Sequence, residues 1–193
     1  MKILVTGSKG FLGKNLVSNL YNIKNGFDKT RTNIKIDEIY EYDIDKTLDD
    51  LDSYTKDADF IFHLAGINRT DNPQDFIKGN VEFTNTLINL LKKNNNHSNI
   101  MFSSSMQATL IGRYNNDYGK SKLEAEELLF KFQKDFGSKV HVFRFPNLIG
   151  KWIRPNYNSA VATFCYNIAR DIEITVNDRS TELELLFIDD LIF

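Results

Sequence analysis

The stretch KILVTGSKGFLG, residues 2–13, passes from an apolar run into a turn with a glycine at every third position. A near-continuous apolar run is typical of a strand that helices cover on both faces. Gly7, Gly10 and Gly13 permit a tight turn, a close approach of backbone amides to a ligand, and close packing of the next helix on the sheet. Because the N-terminus of that helix carries partial positive charge, the pattern predicts a dinucleotide site. The predicted cofactor contacts in this loop are Gly7, Lys9, Gly10, Phe11, Leu12 and Gly13.

Beyond the glycine loop, apolar β-branched runs alternate with segments of 3.6-residue periodicity, as in βαβ units with a mostly parallel sheet. Strands are predicted at 2–7, 36–43, 58–66, 100–105, 140–145, 172–176 and 183–188, and helices after Gly10 and at 74–93, 119–136 and 158–170. At 193 residues the chain can bury one good core. We therefore predict a single α/β domain with a Rossmann-type doubly wound parallel sheet over residues 1–193.

The composition argues against several classes of function. A net charge of −2, with acidic and basic residues interspersed, predicts no nucleic-acid partner. No apolar run approaches the roughly 18 residues of a membrane span, so no membrane partner is expected. The N-terminus enters a strand without a cleavable leader, which favours a cytoplasmic protein. Cys165 stands alone, and His63, His97 and His141 lack metal-ligand spacing, so neither a disulfide nor a metal site is predicted.

Two charged residues bear on the choice between NAD(H) and NADP(H). Asp43, at the end of the second strand, can accept a hydrogen bond from the adenosine ribose and would repel a 2′-phosphate, which favours NAD. Lys9 would instead pair with such a phosphate, which favours NADP. Asp43 and Asp45 also fit an alternative interpretation as helix N-cap residues. The residues themselves leave these alternatives open.

YGKSK, residues 118–122, places a tyrosine four residues before a lysine on a predicted helix. Residues at this spacing are neighbours, and a nearby cation lowers the pKa of a phenol toward neutral pH. Tyr118 could then deliver a proton to a ketone oxygen that accepts a hydride. Ser105 ends the preceding strand, where its hydroxyl can orient the same oxygen. The alternative is an exposed Tyr118–Lys122 pair with the serines in a loop cap.

Taken in order, the glycine loop, HLAG (63–66), SSS (103–105) and YGKSK resemble the extended short-chain dehydrogenase/reductase family of nucleotide-sugar epimerases, dehydratases and reductases. The resemblance covers essentially the whole chain. It implies that Ser105, Tyr118 and Lys122 are catalytic, and that Asn80 helps to hold the proton-relay lysine. The further cofactor contacts that it implies are Leu64, Ala65, Gly66, Tyr118, Lys122, Pro146 and Asn147, while FIDDLIF resembles the family's aspartate-containing segment at Asp189 and Asp190.

Within that family, residues 151–170 and 176–190 resemble enzymes that make capsular polysaccharide precursors. The resemblance implies an NADPH-dependent reductase domain, joined to a C-terminal cupin domain, that reduces the 4-keto group of a UDP-linked 6-deoxy-N-acetylhexosamine. Because the sequence stops at Phe193, we expect the cupin, its zinc and part of a small substrate-binding lobe, which starts near residue 150, to lie outside it. A homodimer through the helices at 74–93 and 119–136 is also implied.

Three other functions are alternatives to the reductase. A 4,6-dehydratase needs a carboxylate beside the catalytic serine, whereas Met106 and Gln107 follow Ser105 here, so dehydration is disfavoured. A 4-epimerase with tightly bound NAD and a non-catalytic dinucleotide-sensing or scaffold protein stay as alternatives. The predicted substrate contacts are Arg144, Asn147, Arg154 and Arg179, since a guanidinium matches the oxygens of a UDP diphosphate; a structural or surface role is the alternative for the arginines.

Overall fold

The computed structural model describes residues 1–192, and its centre is a five-stranded sheet in the order β2-β1-β3-β4-β5. The strands are β1 (Lys2–Thr6), β2 (Glu38–Tyr42), β3 (Phe60–His63), β4 (Asn99–Ser105) and β5 (Val140–Phe145). All four neighbouring pairs run parallel. The chain leaves β1 toward β2 and then crosses back to β3, so a topological switch point lies between β1 and β3. In such sheets ligands bind at the carboxyl ends of the strands, beside the switch point.

Helices cover both faces of the sheet, which confirms the predicted doubly wound α/β fold. They are α1 (Phe11–Lys24), α2 (Leu48–Tyr54), α3 (Pro73–Phe76), α4 (Phe83–Lys93), α5 (Asp117–Phe136), α6 (Ala160–Ile168) and α7 (Ile188–Ile192). On one face α2, α4 and α5 bury Leu51, Leu87 and Leu129 completely. On the other, α1 packs on Ile3 and Val5 of β1. Each fully buried leucine contributes about 1.5–3 kcal/mol by leaving water.

A π-helical turn, Ile77–Glu82, joins α3 to α4, where the sequence predicted one continuous helix. A Cβ at Gly79 would lie 2.7 Å from the side chain of Ile67, so a larger residue here would displace that side chain. Such turns interrupt a helix locally and are frequent at functional sites. The turn carries Asn80, which is 1% exposed.

α2 was missed in the sequence, although it begins with a capping box. The Thr47 hydroxyl accepts the backbone N–H of Asp50, and the Asp50 carboxylate accepts the backbone N–H of Thr47. This reciprocal pair satisfies two helix donors that would otherwise lack partners. Thr47 is therefore the N-cap, and the interpretation of Asp43 and Asp45 as capping residues is wrong.

The segment after β5 forms a second, two-stranded parallel sheet of β6 (Asn147–Ile149) and β7 (Leu185–Phe187). The predicted strand at 183–188 is present in shortened form as β7. The strand predicted at 172–176 is wrong, because among the described residues this exposed segment pairs with no other strand. Alternating apolar residues supply strand propensity, but a strand forms only where a neighbouring backbone is available to pair with it.

Candidate active site

A cleft of about 980 Å³ opens at the carboxyl ends of the parallel strands. Its volume is at the upper end of the range of small-molecule sites. The predicted site residues that line it are Gly7, Lys9, Gly10, Phe11, Leu12, Gly13, Asp43, Leu64, Gly66, Asn80, Ser105, Tyr118, Lys122, Pro146, Asn147 and Arg154. Ala65 lies between two of these residues, whereas Arg144 and Arg179 are not among the residues that line the cleft. The structure therefore brings most of the predicted site together.

The glycine loop forms a cradle that side chains would fill. Gly7 has a φ of +71°, and a Cβ there would lie 2.7 Å from the backbone nitrogen of Ala65. At Gly13 a Cβ would lie 2.0 Å from the carbonyl oxygen of Gly7. Gly10 is the N-cap of α1, and no side chain within residues 1–192 caps this helix. Its first backbone N–H groups can therefore bind phosphate, so the loop fits a dinucleotide.

Asp43 and Lys9 meet at the end of β2, beside the glycine loop. The Asp43 carboxylate accepts the backbone N–H of Lys9 at 2.7 Å, and the Lys9 ammonium pairs with Asp45 at 2.7 Å. Asp45 raises the pKa of Lys9 by hydrogen bonding. This corner of the cleft thus holds two carboxylates and one ammonium group, and the lysine is already paired.

Tyr118 and Lys122 lie on the first turns of α5, on the side that faces the cleft. Asn116 caps the helix by accepting the backbone N–H of Gly119 at 2.8 Å. A Cβ at Gly119 would lie 2.4 Å from the carbonyl oxygen of Gln107, so glycine allows the helix start to pack against the 3-10 turn that follows β4. Lys122 is 4% exposed, and its ammonium group lies 4.2 Å from the centroid of the Phe102 ring. The alternative of an exposed tyrosine–lysine pair is therefore wrong.

Three consecutive serines at the end of β4 each contact α5. The carbonyl of Ser103 accepts a hydrogen bond from the Lys122 ammonium at 2.6 Å. The Ser104 hydroxyl donates to the carboxylate of Glu126. The Ser105 hydroxyl accepts the backbone N–H of Gln107 and, beside the Tyr118 phenol, acts to lower the pKa of that phenol. Hydrogen bonds at Ser103 and Ser104 thereby join the strand end to the helix, and Ser105 lies beside Tyr118.

Burial controls the acidity of both groups on α5. It raises the pKa of Tyr118 above its usual value, and the hydrogen bond from Ser105 only partly opposes this rise. Burial also lowers the pKa of Lys122 to about 7, with the negative charge of Glu126 acting in the opposite direction. The prediction that the Tyr118 pKa falls toward neutral pH is therefore wrong, because the effect of burial is the largest contribution. Tyr118 is protonated at neutral pH, which is the form that can donate a proton.

Asn80 connects the loop after β3 to α5. Its side-chain oxygen accepts the backbone N–H of Ile67 at 2.8 Å, and its amide nitrogen donates to the Ile67 carbonyl and to the Ser121 hydroxyl, both at 2.9 Å. Ser121 precedes Lys122 in the chain. Asn80 therefore contacts the helix through the hydroxyl of the residue before the lysine and makes no hydrogen bond to the ammonium group itself.

Arg144 does not face the cleft. Its guanidinium makes a bidentate pair with Glu126, with distances of 2.6 to 3.2 Å, and Glu126 is 2% exposed. The pair compensates a carboxylate that would be costly to bury alone. Arg144 therefore has a structural role, and Arg179 lies on an exposed segment outside the cleft.

The segment after β6 contributes further cleft residues that the sequence reasoning missed. Trp152 lines the cleft with a φ of +67°, a region that non-glycine residues seldom adopt. Tyr157, which was also missed, lines the cleft with its ring centroid 5.4 Å from the guanidinium of Arg154, a residue that the sequence did predict. The signal that could have revealed them is the cluster of aromatic and basic residues in KWIRPNY, which contains the only tryptophan of the chain.

A protonated phenol beside a dinucleotide cradle, on a parallel sheet of this order, is the arrangement of the short-chain dehydrogenase/reductase class. The chain belongs to the NAD dependent epimerase/dehydratase family, whose model matches residues 3–193. The match confirms the family that the sequence motifs indicated. It also supports a nicotinamide cofactor, and the glycine loop forms a cradle that fits such a dinucleotide.

Two relatives are similar to the chain over most of its length. It is 42% identical to the UDP-2-acetamido-2,6-beta-L-arabino-hexul-4-ose reductase of Pseudomonas aeruginosa over 192 residues, which cover 100% of this chain and 48% of the relative. It is 27% identical to the D-erythronate dehydrogenase of Haemophilus influenzae, over 89% of this chain and 62% of that enzyme. The chain thus spans about half the length of the reductase that it matches.

Two solved structures superpose well on the chain. The capsular polysaccharide assembling protein CapF of Staphylococcus aureus superposes with a TM-score of 0.79 at 42% identity, over 100% of this chain and 48% of CapF. The UDP-glucuronic acid 4-epimerase of Bacillus cereus in complex with NAD gives a TM-score of 0.78 at 22% identity, over 100% of this chain and 72% of the epimerase. The second likeness shows the shared fold alone.

Two further observations concern the described residues. No helix in residues 1–192 has both the length and the apolar character needed to cross a bilayer. Within the same residues, no three His, Cys, Asp or Glu side chains are grouped so that they could hold a metal ion. The cytoplasmic location and the homodimer stay predictions.

Proposed function

We propose that this chain is the reductase part of an enzyme that reduces the 4-keto group of a UDP-linked 6-deoxy-N-acetylhexosamine, for capsular or surface polysaccharide. The observation that carries the proposal is the convergence of Ser105, Tyr118 and Lys122 on a cleft that begins at a dinucleotide cradle. The reductase of Pseudomonas aeruginosa and CapF, both 42% identical to this chain, support the choice of substrate.

The bound nicotinamide would supply the hydride to the keto carbon, and the protein would supply the proton. The Ser105 hydroxyl donates a hydrogen bond that orients the keto oxygen. As negative charge develops on that oxygen, the protonated Tyr118 phenol gives up its proton, and a secondary alcohol results. Lys122 would stabilise the resulting phenolate, since its pKa of about 7 leaves a large fraction charged at neutral pH. The same groups act in reverse on an alcohol.

The cleft wall beyond the catalytic groups has the chemistry of a nucleotide diphosphate site. Arg154 offers a guanidinium fork for phosphate oxygens, and Trp152 and Tyr157 offer aromatic surface for a base or a sugar. Asn147, at the start of β6, also lines the cleft. In sequence it lies between Pro146, a predicted cofactor contact, and Arg154. Arg154 and Asn147 are accordingly the substrate contacts that we retain.

For the cofactor we propose a preference for NAD(H) over NADP(H). Asp43 would accept a hydrogen bond from the adenosine ribose, and Asp43 and Asp45 together outnumber the single positive charge of Lys9. Titration of the full-length protein with NADH and NADPH tests this, and we expect NADH to bind about tenfold more tightly. Asp43→Asn should remove most of the difference, while Asp49→Asn, on the exposed side of α2, should leave it unchanged. Tighter binding of NADPH would contradict the proposal.

Turnover by the full-length protein separates the proposed reaction from its alternatives. With the 4-keto UDP-sugar, a reductase oxidises one reduced cofactor for each sugar and yields the alcohol. The 4-epimerase, which is the second candidate, would interconvert two 4-hydroxy sugars without net oxidation of cofactor. A dinucleotide-sensing or scaffold protein would bind cofactor and convert neither sugar. Met106 and Gln107, which line the cleft beside Ser105, provide no carboxylate for dehydration.

A further inference from the structure

His63 is completely buried at the end of β3, and the proposed proton transfer does not use it. Its Nδ1 lies 2.8 Å from the hydroxyl of Thr6, and its Nε2 lies 2.9 Å from the hydroxyl of Thr84. Its ring stacks on Phe102 at 5.3 Å between centroids. The imidazole thus bridges β1, which leads into the glycine loop, and α4, which follows the π-helical turn.

The neighbouring bonds fix which nitrogen carries the proton. The Thr84 hydroxyl has one hydrogen, and it donates this to the backbone carbonyl of Asn80 at 2.5 Å. Toward His63 this hydroxyl can therefore only accept, so Nε2 must carry the hydrogen. In the neutral ring Nδ1 is then an acceptor, and it receives the hydrogen of the Thr6 hydroxyl.

The chain of hydrogen bonds continues to the cofactor side. The Thr6 oxygen accepts the backbone N–H of Ala65 at 3.3 Å. Each bond therefore points the same way, from Ala65 through Thr6, His63 and Thr84 to the Asn80 carbonyl. Such aligned bonds polarise one another and are costly to break in a dry interior. This chain of hydrogen bonds starts at Ala65, in the wall of the cofactor cradle, and ends at Asn80, whose side chain binds the Ser121 hydroxyl beside Lys122.

We propose that His63, fixed as the Nε2–H tautomer, is a positioning residue that couples the cofactor cradle at the ends of β1 and β3 to the π-helical turn that holds the catalytic helix. The catalytic role of this positioning rests on the proposed function, whereas the chain of hydrogen bonds exists independently of any substrate. Burial, together with the positive charge of Lys122, lowers the pKa of His63 to about 3, so the ring stays neutral. His63 is thus unsuited to acid–base chemistry at neutral pH and suited to a fixed structural coupling.

Substitution of Thr84 or of Thr6 breaks the chain of hydrogen bonds at one end and leaves the other end intact. Thr84→Val preserves the side-chain shape and removes the link to Asn80, so kcat should fall about tenfold while the Kd for cofactor stays within about threefold, because a small misplacement of catalytic groups is expensive. Thr84→Ser restores the hydroxyl and should restore kcat. Thr6→Val should instead raise the Kd for cofactor, since it releases Ala65. Thr86→Val is the matched control, because the exposed Thr86 hydroxyl makes the same type of bond, to the Glu82 carbonyl at 2.9 Å.

Nitrogen NMR of the imidazole in the full-length protein gives a readout without turnover. We expect a protonated Nε2 and a bare Nδ1 that do not titrate between about pH 5 and pH 9. A bare Nε2, or a kcat for folded Thr84→Val equal to that of Thr86→Val, would overturn the proposal. If the wild type fails to reduce any keto-sugar, the proposed function fails, and the tautomer and the effect of Thr6→Val on cofactor binding still decide this inference.

Discussion

The ammonium group of Lys122 donates a hydrogen bond to the carbonyl of Ser103 at 2.6 Å, one helical turn from Tyr118. The bond holds the lysine at the end of β4, where Ser105 meets the phenol. Because the strand end and the helix are joined in this way, the Ser105 hydroxyl, the Tyr118 phenol and the Lys122 ammonium group keep fixed positions relative to one another. Proton transfer requires such fixed positions, since small displacements of catalytic groups reduce reaction rates sharply.

Lys122→Met tests the role of the ammonium group. We expect kcat to fall by about 10²-fold or more, because the phenolate loses its positive neighbour. The free energy of unfolding should change by less than about 1 kcal/mol, since the methionine replaces a buried group whose pKa burial has already lowered. Steady-state kinetics and urea unfolding measure the two effects. Lys120→Met, at an exposed position on the same helix, is the control, and an equal loss of kcat in that variant would remove the assigned role.

Substitutions of Arg144 and Arg154 should have opposite effects on stability and on substrate binding. Arg144→Gln leaves the buried Glu126 without its partner, so we expect a loss of about 2–3 kcal/mol in the free energy of unfolding, near the lower end for buried pairs because Arg144 is 37% exposed. Arg154→Gln should leave stability within about 0.5 kcal/mol and raise the KM for the sugar about tenfold. Chemical denaturation and substrate titration of both variants check the assignment. A higher KM with Arg144→Gln and an unchanged KM with Arg154→Gln would reverse it.

The lowered pKa of His63 predicts a dependence of stability on pH. The folded pKa is about 3 and the unfolded value is 6.5, so between these values only the unfolded state binds the proton. Stability from this group is therefore present above the unfolded value and is lost as the pH falls toward 3. We expect the wild type to lose roughly 3 kcal/mol more than His63→Phe between about pH 7 and pH 4, measured by urea unfolding. Parallel pH profiles of the two proteins would show that His63 is not buried in neutral form.

Gly13→Ala should prevent the glycine loop from closing on α1. A Cβ at this position would lie 2.0 Å from the carbonyl oxygen of Gly7, which belongs to the backbone and cannot move aside easily. We expect a loss of at least about 2 kcal/mol in stability and of at least tenfold in cofactor affinity, measured by unfolding and by titration with NADH. Gly26→Ala, at a positive φ in open space, should cost about 1 kcal/mol and leave cofactor affinity unchanged.

The sequence predicted those parts of the site that depend on local chain geometry. Gly7, Gly10 and Gly13 lie within one turn, and Tyr118 and Lys122 lie four residues apart on one helix, so spacing alone places them correctly. The parallel sheet followed from the alternation of apolar runs and amphipathic segments. These predictions needed no knowledge of how distant segments pack.

The errors have the opposite character. Arg144 was placed in the substrate site because its residue type suits phosphate, whereas its direction depends on the buried Glu126 of another element. The rise in the Tyr118 pKa depends on burial, which only the folded chain reveals. His63 appeared an ordinary scattered histidine, because its partners Thr6 and Thr84 are 57 and 21 residues away in sequence. Contacts of this kind are set by tertiary packing and leave no local pattern.

The most direct test of the account is the turnover of Tyr118→Phe in the full-length protein, with cofactor binding measured on the same sample. The variant keeps the ring that contacts Phe76 and loses only the phenolic hydroxyl group. The account predicts a kcat lower by about 10²–10⁴-fold and a Kd for the dinucleotide within about twofold of the wild type, while Tyr21→Phe on α1 behaves as the wild type. Wild-type turnover by Tyr118→Phe would contradict the central claim that this phenol is the proton donor.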